Sequence, residues 1–92
     1  MNELQKLRKQ IDAIDEKLLK NLAGRFALTE KVGIFKKKNN LKAMDKTRER
    51  EMFEQRSDWA KREKLDGDFV KGLFKFITKT VRRKHKEIAN KK

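Results

Sequence analysis

The sequence predicts an all-α domain of three helices, one long and two shorter, that gains its core by pairing with a second copy of itself. Three observations carry this expectation. Leu4, Leu7, Ile11, Ile14 and Leu18 recur at three- and four-residue spacing, the period of one buried helical stripe. The 92 residues include no proline and too few β-branched residues to build a sheet. Hydrophobic residues make up 36% and charged residues 45%, a low apolar share for a lone globule. The apolar residues are nevertheless periodic rather than scattered, which argues for helices that associate and against disorder.

The first helix is expected to start near Asn2 and run to about Asn39. Inside it only Gly24 and Gly33 weaken the helix, each by roughly 1 kcal/mol relative to alanine. Such a rod is about 57 Å long. Asn39-Asn40 and the following LKAM (41–44) read as a connector, ended by Asp45 as a helix N-cap. A second helix then spans about 46–63, with Met52, Phe53, Trp59 and Ala60 on its inner side. Leu65 to Gly67 turn the chain, Asp66 caps the next helix, and the third helix runs over about 67–89. Its inner stripe is Val70, Phe74, Ile77, Val81 and Ile88. All of this reads as one domain over 1–92. The two shorter helices cannot cover the long one, so much of Leu4 to Leu22 would face water in a single chain. A two-fold dimer with antiparallel long helices resolves this.

Composition excludes several kinds of chemistry. Cysteine is absent, which rules out disulfides, thiolate metal sites and thiol nucleophiles. A single histidine rules out multi-histidine zinc motifs. MNELQKLRKQ at the start is charged, and no segment approaches the length of a signal or membrane span, so the default location is the cytoplasm. The net charge of +13 is uneven, because residues 75–92 hold eight Lys or Arg against Glu87 alone. That balance favours anionic partners, either nucleic acid or small polyanionic metabolites.

Candidate site residues lie where apolar faces are interrupted. Extending the first stripe brings Arg25, Thr29, Val32 and Lys36 to the same side. Arg25 and Lys36 project about 16 Å apart along the axis, and no acid shares the stripe with them. Cations facing a core point to an anionic ligand. In the second helix, Asp45, Arg48 and Glu49 place a cap, a cation and a carboxylate at the edge of the core. Arg48 and Glu49 also have a simpler reading as a surface pair. His85 continues the stripe of Val70, Phe74, Ile77 and Val81, where a satisfied core histidine is the plain alternative to a functional one. Arg8 can pair with Asp12 one turn on. It lies roughly 42 Å from Lys36 along the rod, so it can share a small ligand with Lys36 only if it arrives from another chain.

Taken together, these residues resemble the all-helical chorismate mutase family. The matching segments are LRKQIDAIDEKLLKNLAGR (7–25), VGIFKKK (32–38), DKTREREM (45–52) and LDGDFVKGLFKFI (65–77). The order Arg8, Arg25, Lys36, Asp45, Arg48, Glu49 follows the family's spacing without a gap. The resemblance implies an intertwined homodimer that converts chorismate to prephenate, on the branch toward phenylalanine and tyrosine, without metal or cofactor. Arg25, with Arg8 of the partner, would clamp the two substrate carboxylates, and Lys36 would meet the charge growing on the ether oxygen. Glu49 would accept the ring hydroxyl with help from the backbone near Asp45, while Arg48 would orient Glu49 and Lys36.

Three positions depart from the family pattern. His85 stands where glutamine or glutamate gives the second donor to the ether oxygen. Val81 replaces a small polar residue of the binding pocket, with Thr80 adjacent but turned about 100° away. Lys42-Ala43-Met44 replaces a connector with a proline. The length is expected to leave no room for a fused regulatory or dehydratase domain. Other readings are an isochorismate pyruvate-lyase of the same fold, a basic helical module that binds nucleic acid, and an inactive dimer that kept the pocket.

Overall fold

Each helix begins on a side chain suited to the purpose. The computed structural model describes residues 2–42 and 45–91; Ala43 and Met44 of the expected connector lie outside the described residues. Asn2 Oδ1 accepts from the Gln5 N–H at 2.8 Å, and Gln5 Oε1 accepts in return from the Asn2 N–H. This capping box starts α1, Glu3–Lys38. Asp45 accepts from the Arg48 N–H at 3.0 Å and starts α2, Lys46–Arg62. Asp66 accepts from the Asp68 and Phe69 N–H groups and starts α3, Gly67–Asn90.

The first two helices end alike. Asn40 and Lys64 take the left-handed conformation, with φ of 55° and 58°. The following N–H reaches back to the last turn, Leu41 to the Lys36 carbonyl and Leu65 to the Ala60 carbonyl, both at 2.8 Å. These are Schellman closures made without glycine. The expected turn at 65–67 thus begins one residue earlier, at Lys64.

α3 is the organising element. Among the described residues, the close backbone approaches between helices are those of α3 with α1 and of α3 with α2. Met52, Ala60, Val70 and Ile77 are buried, as is His85, and Phe74, Val81 and Ile88 are half-buried. α3 therefore buries the stripe predicted for it. Trp59 departs from expectation. It remains 40% exposed, with the Arg56 guanidinium carbon 4.9 Å from the centre of its ring, a cation–π contact.

Gly33 is the one buried residue of α1. A Cβ there would lie 2.7 Å from His85 Cδ2 and 3.1 Å from Ile88 Cδ1. The missing side chain lets the imidazole lie against the α1 backbone. The glycine that weakens α1 as a helix is what allows α3 to approach it.

The N-terminal half of α1 reaches beyond this packing. Leu4, Ile11, Ile14 and Leu18 are each more than half exposed, and Leu7 nearly so. The chain measures 57 × 28 × 14 Å, with a radius of gyration of 16.9 Å, against about 12 Å for a compact domain of this length. Among the described residues no helix is long and apolar enough to cross a membrane.

Candidate active site

The C-terminal half of α1, the first turns of α2 and the middle of α3 enclose a cavity of about 190 Å³. Its walls include Arg25 and Lys36 from α1, Asp45, Arg48 and Glu49 at the start of α2, and Val81 and His85 from α3. Seven of the eight residues singled out in the sequence thus meet in one place. Arg8, the eighth, sits exposed on the far half of α1 and does not reach the cavity within its own chain. A wider hollow of about 640 Å³ lies between α2 and the start of α3. Its lining mixes Glu54, Asp58 and Asp68 with Arg56 and Lys71 and includes none of the eight.

Helical periodicity accounts for the convergence. Arg25, Thr29, Val32 and Lys36 follow one another by three or four residues and all line the cavity. On α3 the same rule brings together Thr78, Val81, Arg82 and His85. On α2 the cap itself brings Asp45 beside Arg48 and Glu49, since Asp45 holds the Arg48 N–H.

The Arg25 guanidinium is held by apolar and soft groups. Its Nη2 points to Met52 Sδ at 3.8 Å, and its carbon lies 5.8 Å from the centre of the Phe74 ring. Nη1 is buried and, among the described residues, lacks a hydrogen-bond partner. Burial, and then the like charge of Arg48, push this group below its ordinary pKa. Arg56, on the far side of the cluster, is lowered by the same burial and by Arg48 and Arg25. Its guanidinium stacks 5.2 Å from the Phe74 centroid. A partly buried cation with an orphaned N–H is costly, and an anion placed against it would offset that cost.

His85 is anchored. Its Nε2 lies 2.7 Å from the Thr29 carbonyl oxygen, an acceptor only, so the ring donates through Nε2 and a neutral imidazole keeps Nδ1 as its acceptor. The plain role proposed for a histidine on an apolar face is therefore present, and the residue lines the cavity as well. Glu49 forms its ion pair with Arg82 of α3.

Two cavity residues on α3 escaped the sequence reading. Thr78 lies three residues before Val81 and seven before His85, a spacing that places it on the same face. Thr80, the hydroxyl considered next to Val81, instead donates to the Phe76 carbonyl of its own helix at 3.2 Å. Arg82 was counted within the basic run of residues 75–92, and that run concealed its inward position.

Residues 7–86 match the family described as chorismate mutase type II. A bifunctional chorismate mutase/prephenate dehydratase from Aquifex aeolicus (strain VF5) is 48% identical over 54 residues, which cover 59% of this chain and 15% of that protein. The family match takes in most of all three helices: the chain belongs to the chorismate mutase type II family.

Proposed function

We propose that the chain is a chorismate mutase, an isomerase that rearranges chorismate to prephenate by restraint and electrostatic stabilisation. The observation that carries the reading is the partly buried Arg25 guanidinium, whose Nη1 has no hydrogen-bond partner among the described residues, in the wall of a cavity that also gathers Lys36 and Arg48. The cavity has four cationic side chains, Arg25, Lys36, Arg48 and Arg82, against two acids, Asp45 and Glu49. The net excess of two positive charges suits a dicarboxylate.

The reaction breaks a C–O bond as a C–C bond forms within one molecule. It needs no nucleophile, so fixed charges and shape can supply the acceleration. Arg25 holds one carboxylate through paired N–H donors. Lys36 meets negative charge as it develops on the ether oxygen, a preorganised interaction that contributes about 3–4 kcal/mol. Glu49 accepts the ring hydroxyl. Arg48 adds positive potential beside Arg25 and Lys36, and Val81 shapes the wall. His85, with Nε2 committed to the Thr29 carbonyl, has only Nδ1 left to turn toward the ether oxygen. The second carboxylate is left to Arg8 of a partner subunit in an intertwined homodimer. The exposed stripe Leu4, Leu7, Ile11, Ile14 and Leu18 supports that assembly.

The test is a chorismate assay on the purified chain. Loss of chorismate absorbance with appearance of prephenate is expected, and Lys36→Ala is expected to abolish it while helicity is retained. No turnover by the intact chain, or salicylate formed from isochorismate in its place, would overturn the reading.

A further inference from the structure

Glu49 and Arg48 are consecutive on α2, and neighbouring helical residues point about 100° apart. Arg48 is therefore badly placed to hold the Glu49 carboxylate, which needs a partner from another element. α3 supplies one. Arg82 Nη2 donates to Glu49 Oε1, and both side chains are partly withdrawn from water, 41% exposed for Arg82 and 24% for Glu49. Both line the cavity. Arg82 Nε is buried there without a hydrogen-bond partner, so the guanidinium is not simply a surface cation lying back on its helix.

We propose that Arg82 is a positioning residue that holds Glu49 through Oε1 so that Oε2 is presented to a hydroxyl of the bound dicarboxylate. This inference rests on the chorismate mutase reading. A carboxylate has two oxygens and about four acceptor sites, so binding to Arg82 does not exhaust Glu49. Arg82 thus aims one acid at the substrate hydroxyl. Its contribution is to binding in the ground and transition states alike, so it belongs mainly in KM.

The experiment is a double-mutant cycle between Arg82→Gln and Glu49→Gln, measured with chorismate and followed by circular dichroism. Arg82→Gln alone is expected to raise KM about tenfold, the usual scale for a charge-assisted hydrogen bond, with kcat changed much less. In the Glu49→Gln background the same change is expected to alter KM less than about twofold. Arg82→Lys should restore part of the loss. Inhibition gives a second readout: a bicyclic dicarboxylate analogue bearing the hydroxyl should bind Arg82→Gln more weakly, and the analogue lacking the hydroxyl should bind both proteins equally. A KM penalty of equal size in both Glu49 backgrounds, or equal weakening of both analogues, would overturn the assignment. Should Arg82→Gln fail to fold, Arg82→Lys and the two analogues decide the matter in the same way. Absence of turnover by the unmodified chain is a separate result, which would remove the mutase reading and this inference with it.

Discussion

Arg25 and Gly33 show how single residues in this chain serve the site at the expense of local stability. Arg25 is a partly buried cation whose Nη1 has no acceptor, and burial depresses its pKa. The expected consequence is a trade. Arg25→Met should leave Tm unchanged or raise it, because a thioether suits the contacts with Met52 and Phe74 better than an unsatisfied charge. The same change should lower kcat/KM at least tenfold, the scale of one lost charge-assisted hydrogen bond. A clear fall in Tm would mean that the guanidinium stabilises the empty fold, contrary to this account. Gly33 runs the opposite way. Alanine there gains about 1 kcal/mol in helix propensity but places a methyl 2.7 Å from the His85 ring. Overpacking of this kind destabilises by about 1–3 kcal/mol, so Gly33→Ala should lower the urea midpoint. Gly24→Ala and Gly72→Ala, where an added methyl meets nothing within 4 Å, should raise it. Most of the site was legible because its residue types violate the apolar pattern, as Arg25, Lys36 and His85 do. The role of Gly33 was not, since a glycine needed for contact and one that merely weakens a helix look the same in one dimension. Arg82 was hidden for a related reason. A cation within a basic run carries no mark of the acid it meets thirty-three residues away.

At the scale of the elements, the chain's caps made the boundaries readable. Asn2, Asp45 and Asp66 each stand where the apolar period begins, and each accepts from its helix's first free N–H groups. The inner stripe of α3 was equally plain, because Val70, Ile77 and His85 repeat on one face and are buried. Trp59 was misplaced because periodicity reports a face without saying what another element will cover. Arg56 covers Trp59 by stacking, a pairing set by geometry between adjacent turns. α1 poses the larger question, since its first half shows the pattern of a buried helix and no other helix among the described residues buries it. An isolated helical segment of this length is marginal in water, so its helicity should depend on association. Replacing Ile11 and Ile14 together by glutamate removes two apolar contacts, each contributing about 1.5–3 kcal/mol if buried. The double variant should sediment as a smaller species and lose ellipticity at 222 nm. Unchanged sedimentation and helicity would show that α1 needs no partner along this stripe.

The whole molecule gives the same conclusion in area. The chain exposes 8175 Å², whereas a folded monomer of 11.0 kDa is expected to expose about 5,600 Å². The excess, roughly 2,500 Å² on one chain and about 5,000 Å² over two, exceeds a standard interface and lies in the upper part of the range of obligate dimers. An antiparallel pairing of the long helices would bury the exposed stripe of each on the other. Arg8 lies about 42 Å from its own Lys36 along the rod, and the same pairing would bring it toward the cavity of the partner. This makes a counting prediction. Arg8→Ala and Lys36→Ala should each be nearly inactive as pure proteins. In a heterodimer of the two, one cavity keeps Lys36 and receives an intact Arg8, while the other lacks both. Random exchange of equal amounts makes half the dimers mixed, with one working site in each, so activity should return to about a quarter of the wild-type value. Mass spectrometry of the mixture establishes exchange independently of turnover. Full exchange without recovered activity would mean that Arg8 does not complete the partner's site, and the length of α1 would then need another explanation than the service of two cavities.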